Sequence, residues 1–245
     1  MQSEKEFLAN YDPDTFKHPS VTSDILIFTV IRKSLSVLLI TRRNHPFKDR
    51  LAIPGGFLNT GQESSEEAAY RELKEETGIT DISLRQLATF SKPDRDPRTH
   101  VVSVVYMGLV PYSRLKYTAG DDAADTDVYR IAVLQGEDCL LDKYGERYVT
   151  CLDNIAFDHG EIIRTGIERL QGRLEYTDDT LELLEDPDCF TMRELHDIHC
   201  AILQKDIDPS NFRKSINRRY LKTGIMQERP RTTTIKTYQI RRNEP

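Results

Sequence analysis

Absences narrow the class of this chain before any motif does. Its 245 residues include only four cysteines, Cys139, Cys151, Cys189 and Cys200, with no CxxC pair and no dense spacing. Neither a disulfide framework nor a zinc ribbon is indicated, and all four read as reduced thiols. His196, His199 and Cys200 fall within one helical turn, but no second group of ligands has suitable spacing, so they read as ordinary helix residues. The longest apolar run, "ILIFTVI", is far short of the roughly 20 residues that cross a bilayer, and the amino terminus has neither the basic start nor the apolar stretch of a signal peptide. The expectation is a soluble cytoplasmic protein with no membrane partner. There is no internal repeat, no low-complexity tract and no aromatic-rich strand platform of the kind that stacks RNA bases. Hydrophobic residues make up 38%, lean but adequate for two modest cores at this length, which argues against a disordered chain.

Charge is present but divided. Residues 211–245 carry ten Lys or Arg against two Asp or Glu, whereas residues 1–210 carry 24 against 38. A strongly basic carboxyl-terminal part on an otherwise acidic chain is the footprint of a module that meets a polyanion.

The pattern along the chain also divides. Up to about residue 155, short runs such as "DILIFTVI", "SVLLITR", "LRQLATFS" and "HVVSVVYMGLV" read as strands. One strong helix interrupts them, opened by a Ser64/Glu67 capping box and closed by Gly78. A second helix is predicted at "DHGEIIRTGIERLQG", with Asp158 and Glu161 as its capping box, an apolar stripe of Ile162, Ile163, Ile167 and Leu170, and Gly172 as its end. The acidic, proline-bearing stretch that follows reads as a linker. From residue 190 the pattern is two short helices and a hairpin. Thr191 and Glu194 cap the first, with Phe190 and Leu195 as a hydrophobic staple, and it stops near Gln204. Asp208 and Pro209 open the second, predicted to run to about Lys222 before Gly224. "IMQERPRTTTIKTYQIRR" reads as the hairpin.

The helix at 65–77 carries Glu72, Glu75 and Glu76 at i, i+3 and i+4, on one face. Three clustered carboxylates repel unless a hard divalent cation sits among them. The preceding Gly55, Gly56 and Gly61 would let backbone approach a phosphate closely. A solvated helix laced with ion pairs through Glu67, Arg71 and Glu75 would share these features. The full string "RELKEETGI" distinguishes the two, because it resembles the core of the Nudix signature at every fixed position, with seven residues between Glu63 and Arg71.

That resemblance implies a Nudix fold, a mixed sheet between helices, over residues 1–156. It also implies that Glu72, Glu75 and Glu76 bind Mg2+ or Mn2+ where metal binding is retained, activating water against a diphosphate. One departure matters. The family pattern has five residues between its leading glycine and first glutamate, whereas "FLNTGQ" puts six between Gly56 and Glu63. Misplacement of reacting oxygens by roughly 1 Å can cost on the order of a hundredfold in rate, while binding tolerates more. No residue is therefore assigned as catalytic. Glu63, Arg71, Glu72, Glu75 and Glu76 read as a vestigial set, with weak or absent hydrolysis expected. Downstream, "SKPDRDPRTHVVSVVY" resembles a stretch of ADP-ribose-directed Nudix proteins. Arg95 and Arg98 there, and Arg42, Arg43 and Lys48 in "TRRNHPFKDR", are candidates for phosphate contacts, as Phe57 is for stacking on a base; the alternatives are solvated arginines on proline turns, cations that merely end a strand and an aromatic in partial core.

In the basic part, Arg213, Lys214, Asn217, Arg218, Arg219 and Lys222 form a polar side opposite Phe212, Ile216 and Leu221. This is the composition of a recognition helix: Arg and Lys reach guanine edges, Asn reads adenine, and the remaining cations neutralise phosphate. Arg229, Arg231 and Lys236 on the hairpin would touch the backbone as a wing. A solvated helix with a disordered basic tail is the plain alternative. The predicted fold is thus α+β: an N-terminal Nudix α/β/α sandwich, a connecting helix and linker at 157–178, and a C-terminal winged helix-turn-helix at 179–245.

The order of these parts, with "IPGGF", "DRDPR", "AGDDA", "FDHGEIIRTGIERLQGRLEY" and "NFRKSINRRYLKTGIM", resembles the Nudix-related transcriptional regulators of NAD metabolism, the NrtR family. The resemblance implies a homodimeric bacterial repressor of NAD synthesis or salvage genes, bound to a palindromic double-stranded operator and associated with the nucleoid when bound. It also implies ADP-ribose as effector. The alternative is an active Mg2+-dependent ADP-ribose pyrophosphatase whose basic tail merely docks it.

Overall fold

The computed structural model of the protein describes residues 2–118, 123–216, 220–229 and 232–240, the last two stretches by backbone alone. A short amino-terminal helix, α1 (Glu4–Asn10), precedes β1 (Ser20–Ile31), β2 (Ser34–Arg42), β3 (Leu51–Ala52), β4 (Gly55–Phe57) and α2 (Ser65–Thr77). There follow β5 (Arg85–Phe90), β6 (Val101–Leu109), β7 (Ala123–Leu134), β8 (Glu137–Leu141), β9 (Tyr148–Cys151) and α3 (His159–Arg173). The carboxyl-terminal part is β10 (Phe190–Thr191), α4 (Met192–Leu203), α5 (Pro209–Ile216), β11 (Tyr220–Arg229) and β12 (Thr232–Ile240).

The strands of the first part form one mixed sheet in the order β5-β6-β1-β2-β7-β8-β9, with β3 on β2 and β4 on β1. β1 and β6 run parallel, and the other pairings are antiparallel. Because successive side chains of a strand point to opposite faces, β1 feeds two cores. Ile25 and Ile27 join Leu38, Ala69 and Leu73 beneath α2. Leu26 and Phe28 join Ile162, Ile163 and Ile167 beneath α3. This is the expected sandwich.

The Ser64/Glu67 capping box and the left-handed Gly78, at φ 71°, bound α2 as read from sequence. The capping box of Thr191 and Glu194 opens α4, and Gln204, at φ 51°, closes it. Three expectations need correction. Asp158 stands at the start of α3 but makes no side-chain cap; its carboxylate is taken by Arg95, at 2.7 and 2.9 Å. Gly172 does not end α3, which continues to Arg173. The second short helix does not reach Lys222: α5 ends at Ile216, and Tyr220 already begins a strand. The β-branching and aromatic content of "YLKTGIM" favours pairing with β12 over helix extension.

The stretch read as linker also proves well packed. Leu181, Leu183 and Leu184 are buried in the same apolar cluster that runs from the sheet through α3 to Leu195, Ile202, Phe212 and Ile216. Ion pairs reinforce that junction, among them Arg85 with Glu182 and Lys33 with Asp197 at 3.0 Å. Lys33 sits in the two-residue turn between β1 and β2, where both Arg32 and Lys33 have positive φ, a turn that usually selects Asn and Gly.

Candidate ligand cleft and nucleic-acid interface

The helix α2 delivers its glutamates around one cation. Arg71 donates to Glu63 through Nη2 at 2.6 Å and Nε at 3.0 Å, and through Nη1 to Glu72 at 2.6 Å and Glu75 at 3.1 Å. The guanidinium holds the Glu63 carboxyl down to about 2. Burial pushes Glu72 above the usual carboxylate range, against the pull of Arg71. Glu76 is buried and accepts the Gly55 N–H at 2.7 Å. The glycines permit this approach: a Cβ on Gly56 would stand 2.2 Å from the Glu72 carboxylate, and Gly55 adopts φ 155°. Three hard carboxylates on one face suit Mg2+ or Mn2+ by donor type, although Arg71 fills the place of a cation between Glu72 and Glu75 in the arrangement seen.

The lengthened loop leaves this cluster intact. Its surplus is taken up in an exposed turn, where Gln62 N–H donates to the Asn59 carbonyl at 3.0 Å and Gly61 has φ 76° with open space around it. Asn59 N–H still donates to Glu63 at 2.9 Å, so the first glutamate stays against Arg71.

Beside the glutamates lies a cleft lined by Asp24, Arg42, Gly56, Phe57, Arg98 and Phe157, with Glu72, Glu76, Arg95 and His159 also contributing. The structure divides the candidates read from sequence. Phe57 and Arg98 reach the cleft together, the Arg98 guanidinium lying 5.0 Å from the Phe57 ring centroid and 5.8 Å from that of Phe157. Asp96 anchors Arg98 at 2.7 Å. Arg95 reaches the cleft wall but is buried and committed to Asp158, with Asp24 at 3.6 Å. Burial opposes its charge, and the two carboxylates more than offset that. It ties the start of α3 to β1 at the cleft wall. Arg43, which donates to the Ala123 carbonyl at 2.9 Å, and Lys48 are not part of the lining.

Sequence reading named Arg42 as a phosphate candidate and missed Phe157 and His159. Arg42 lies 4.9 Å from the Phe157 centroid. His159 Nδ1 accepts the Ile53 N–H at 3.0 Å, which places the ring proton on Nε2. Complete burial, together with Arg95 and Arg42 nearby, holds it neutral, with its pKa lowered to about 3. "FDHGE" carried this signal, but its aspartate looked like a helix cap.

In the carboxyl-terminal part, Phe212 and Ile216 turn inward from α5 while Arg213 and Lys214 are exposed. Phe212 stands edge-on to His196 and His199, at 5.0 and 4.9 Å, so these histidines serve as packing for the second helix. Asp208 accepts the Asn211 N–H at 2.8 Å and opens α5 as expected. β11 and β12 form the hairpin, and β10 completes a three-stranded sheet. Asn217, Arg218, Arg219 and Arg231 lie outside the described residues, as do the side chains of Leu221, Lys222, Arg229 and Lys236.

A helix pair followed by a hairpin on a small sheet is a winged helix, and comparison with known proteins agrees. The NUDIX domain matches residues 22–137, and the NrtR DNA-binding winged helix domain matches residues 181–235. The ADPR responsive transcriptional repressor NtrR of Acinetobacter baylyi is 32% identical over 227 residues, which are 92% of this chain and 82% of that protein. The chain belongs to the NrtR family. A crystal structure of Shewanella oneidensis NrtR with a 27mer DNA superposes with a TM-score of 0.65 at 27% identity, over 90% of this chain and 93% of that one. The NUDIX domain of the same NrtR with ADP ribose gives 0.54 at 32% identity, over 69% and 99%. Outside proteins named NrtR, a MutT/nudix family protein from Enterococcus faecalis gives 0.80 at 32%, over 98% and 94%. The ADP-ribose pyrophosphatase of Methanocaldococcus jannaschii is 39% identical over 149 residues, 61% of this chain and 73% of that enzyme.

Proposed function

We propose that this chain is an ADP-ribose-responsive, sequence-specific DNA-binding repressor of NAD biosynthesis and salvage genes, with its Nudix domain used as sensor. The observation that carries the reading is the joining of the glutamate-walled cleft to a winged helix through one continuous apolar cluster. The sensor spans residues 1–156, the connecting helix and linker 157–178 and the DNA reader 179–245. In the cleft, Gly55, Gly56, Phe57, Arg95 and Arg98 meet the nucleotide, and Arg43 and Lys48 attract its phosphates from outside the lining. Mg2+ or Mn2+, where it accompanies the ligand, belongs to Glu72, Glu75 and Glu76. Arg213, Lys214, Asn217 and Arg218 face base edges. Arg219, Lys222, Arg229, Arg231 and Lys236 meet the DNA backbone.

The working form is a cytoplasmic homodimer that associates with the nucleoid through a palindromic operator. Two recognition helices must match half-sites about 10 base pairs, or a multiple, apart, so a small inter-domain rotation uncouples them. ADP-ribose acts as a switch only by binding the two dimer shapes unequally. Titration of promoter fragments from NAD synthesis and salvage genes, with and without ADP-ribose, tests this. Tight, sequence-selective binding that the nucleotide releases is expected, and superimposable curves reject the switch.

A second reading, an active ADP-ribose pyrophosphatase, is favoured by one observation: the longer loop bulges outward and leaves all the signature glutamates in place. Turnover of ADP-ribose with Mg2+ or Mn2+, abolished by Glu75→Gln, would establish it. Robust turnover without duplex binding would put the hydrolase first.

A further inference from the structure

Outside the cleft lining, at the edge of the large sheet, three side chains gather that the proposed function does not use. Cys139 on β8 and Cys151 on β9 are directly opposed across the antiparallel pair. Their sulfurs stand 3.3 Å apart. Glu137, two residues before Cys139 and so on the same face of β8, brings Oε2 to 3.1 Å from Cys151 Sγ. The Tyr148 hydroxyl lies 3.3 Å from the same sulfur. Among the described residues, this is the single group of three His, Cys, Asp or Glu side chains whose ligand atoms all lie within 4.8 Å of one another. Cys139 is buried, Cys151 half-buried and Glu137 exposed, so the group opens from the sheet interior toward solvent.

We propose that Cys139, Cys151 and Glu137 form a binding site for a single thiophilic divalent cation of the Zn2+ class. Two thiolates and a carboxylate are a donor set such a cation takes, with a fourth tetrahedral position left to water or the neighbouring phenol. With metal–sulfur bonds of about 2.3 Å, two thiolates on a tetrahedral ion stand about 3.8 Å apart. The observed separation therefore needs to open by only a few tenths of an ångström, within the reach of side-chain rotation. Hard cations such as Mg2+ prefer all-oxygen sets, which separates this site chemically from the glutamates of α2.

The site has a structural consequence. β9 is the edge strand, and it leads through residues 152–156 directly to Phe157 and His159 on the cleft wall. Asp138, facing the opposite way on β8, is tied by Arg164 to Asp153 in that connection, at 2.8 and 2.6 Å. A cation clamping β9 to β8 would fix the outer anchor of the segment that carries the cleft wall.

The test uses the full-length reduced protein and Cd2+ as an optical probe for thiolate ligation. One Cd2+ per chain with a thiolate charge-transfer band is expected, displaced by Zn2+ and not by Mg2+. Cys151→Ala, at a half-exposed position, should abolish the band, and Glu137→Gln should weaken binding by roughly tenfold or more. Glu75→Gln should leave the band unchanged, which separates this site from metal bound at the Nudix glutamates. Absence of the band, its persistence in Cys151→Ala, or its loss in Glu75→Gln would each overturn the assignment.

Discussion

At the scale of the residue, the cleft depends on groups whose charge state is set by burial. His159 is held neutral, with its pKa lowered to about 3 by burial and by the nearby Arg95 and Arg42, whereas an unfolded histidine titrates near 6.5. Between these values the unfolded chain binds the extra proton, so stability is fully present above about pH 6.5 and falls as pH drops toward 3, at a rate on the order of 1 kcal/mol per pH unit. Thermal unfolding measured from pH 7 to pH 5 should show this slope. His159→Asn, whose Oδ1 can accept the Ile53 N–H in place of Nδ1, should flatten it; an unchanged slope would place the titrating group elsewhere. Arg213 gives the parallel case at the proposed DNA interface. Arg213→Ala should cost roughly 1–3 kcal/mol and relax sequence preference, whereas Lys236→Ala should weaken all duplexes alike and reduce the salt dependence. Identical behaviour of the two variants across DNA sequences would overturn their division into reader and anchor.

Elements are stabilised chiefly at their ends and along their buried faces. Thr191 and Glu194 satisfy the first turn of α4 reciprocally, Glu194 Oε2 accepting the Thr191 N–H at 2.7 Å and Thr191 Oγ1 accepting the Glu194 N–H at 3.2 Å. Thr191→Ala should therefore lower stability by about 1 kcal/mol. Denaturant titration checks the value, and ADP-ribose affinity should be unaffected because α4 contributes nothing to the cleft. This cap was legible in sequence because it is written in four consecutive residues. The end of α5 was not. Ile216 and Leu221 continue a helical stripe, but pairing with β12 takes Tyr220 onward into a sheet, and a cross-strand partner leaves no trace in local periodicity.

At the scale of the molecule, the question is how a ligand in one part can alter the other. Lys33, in the β1–β2 turn, and Asp197, on α4, form an ion pair across the junction at 3.0 Å. Asp197→Lys would set two ammonium groups against each other there without touching the cleft lining. ADP-ribose affinity should be retained, and operator binding is read as the ratio of affinities without and with the ligand. The ligand's effect on operator binding, for which coupling of roughly 5–150-fold is typical, should shrink. Lys33→Glu combined with Asp197→Lys should restore it. A full ligand effect in the single variant would show that this contact carries no coupling.

By itself, the sequence determined whatever is encoded over a few neighbouring residues. The glutamates share a face because their spacing matches the helical repeat, the Ser64 and Thr191 caps follow from residue types three apart, and the division of charge assigned a polyanion to the carboxyl-terminal part. Only the tertiary structure decided that Arg95 is tied to Asp158, that His159 backs the cleft, and that Cys139 meets Cys151. The first two contacts join residues 63 and 106 positions apart. Such pairs are set by the order of strands and the packing of α3 on the sheet, and no local period records that order.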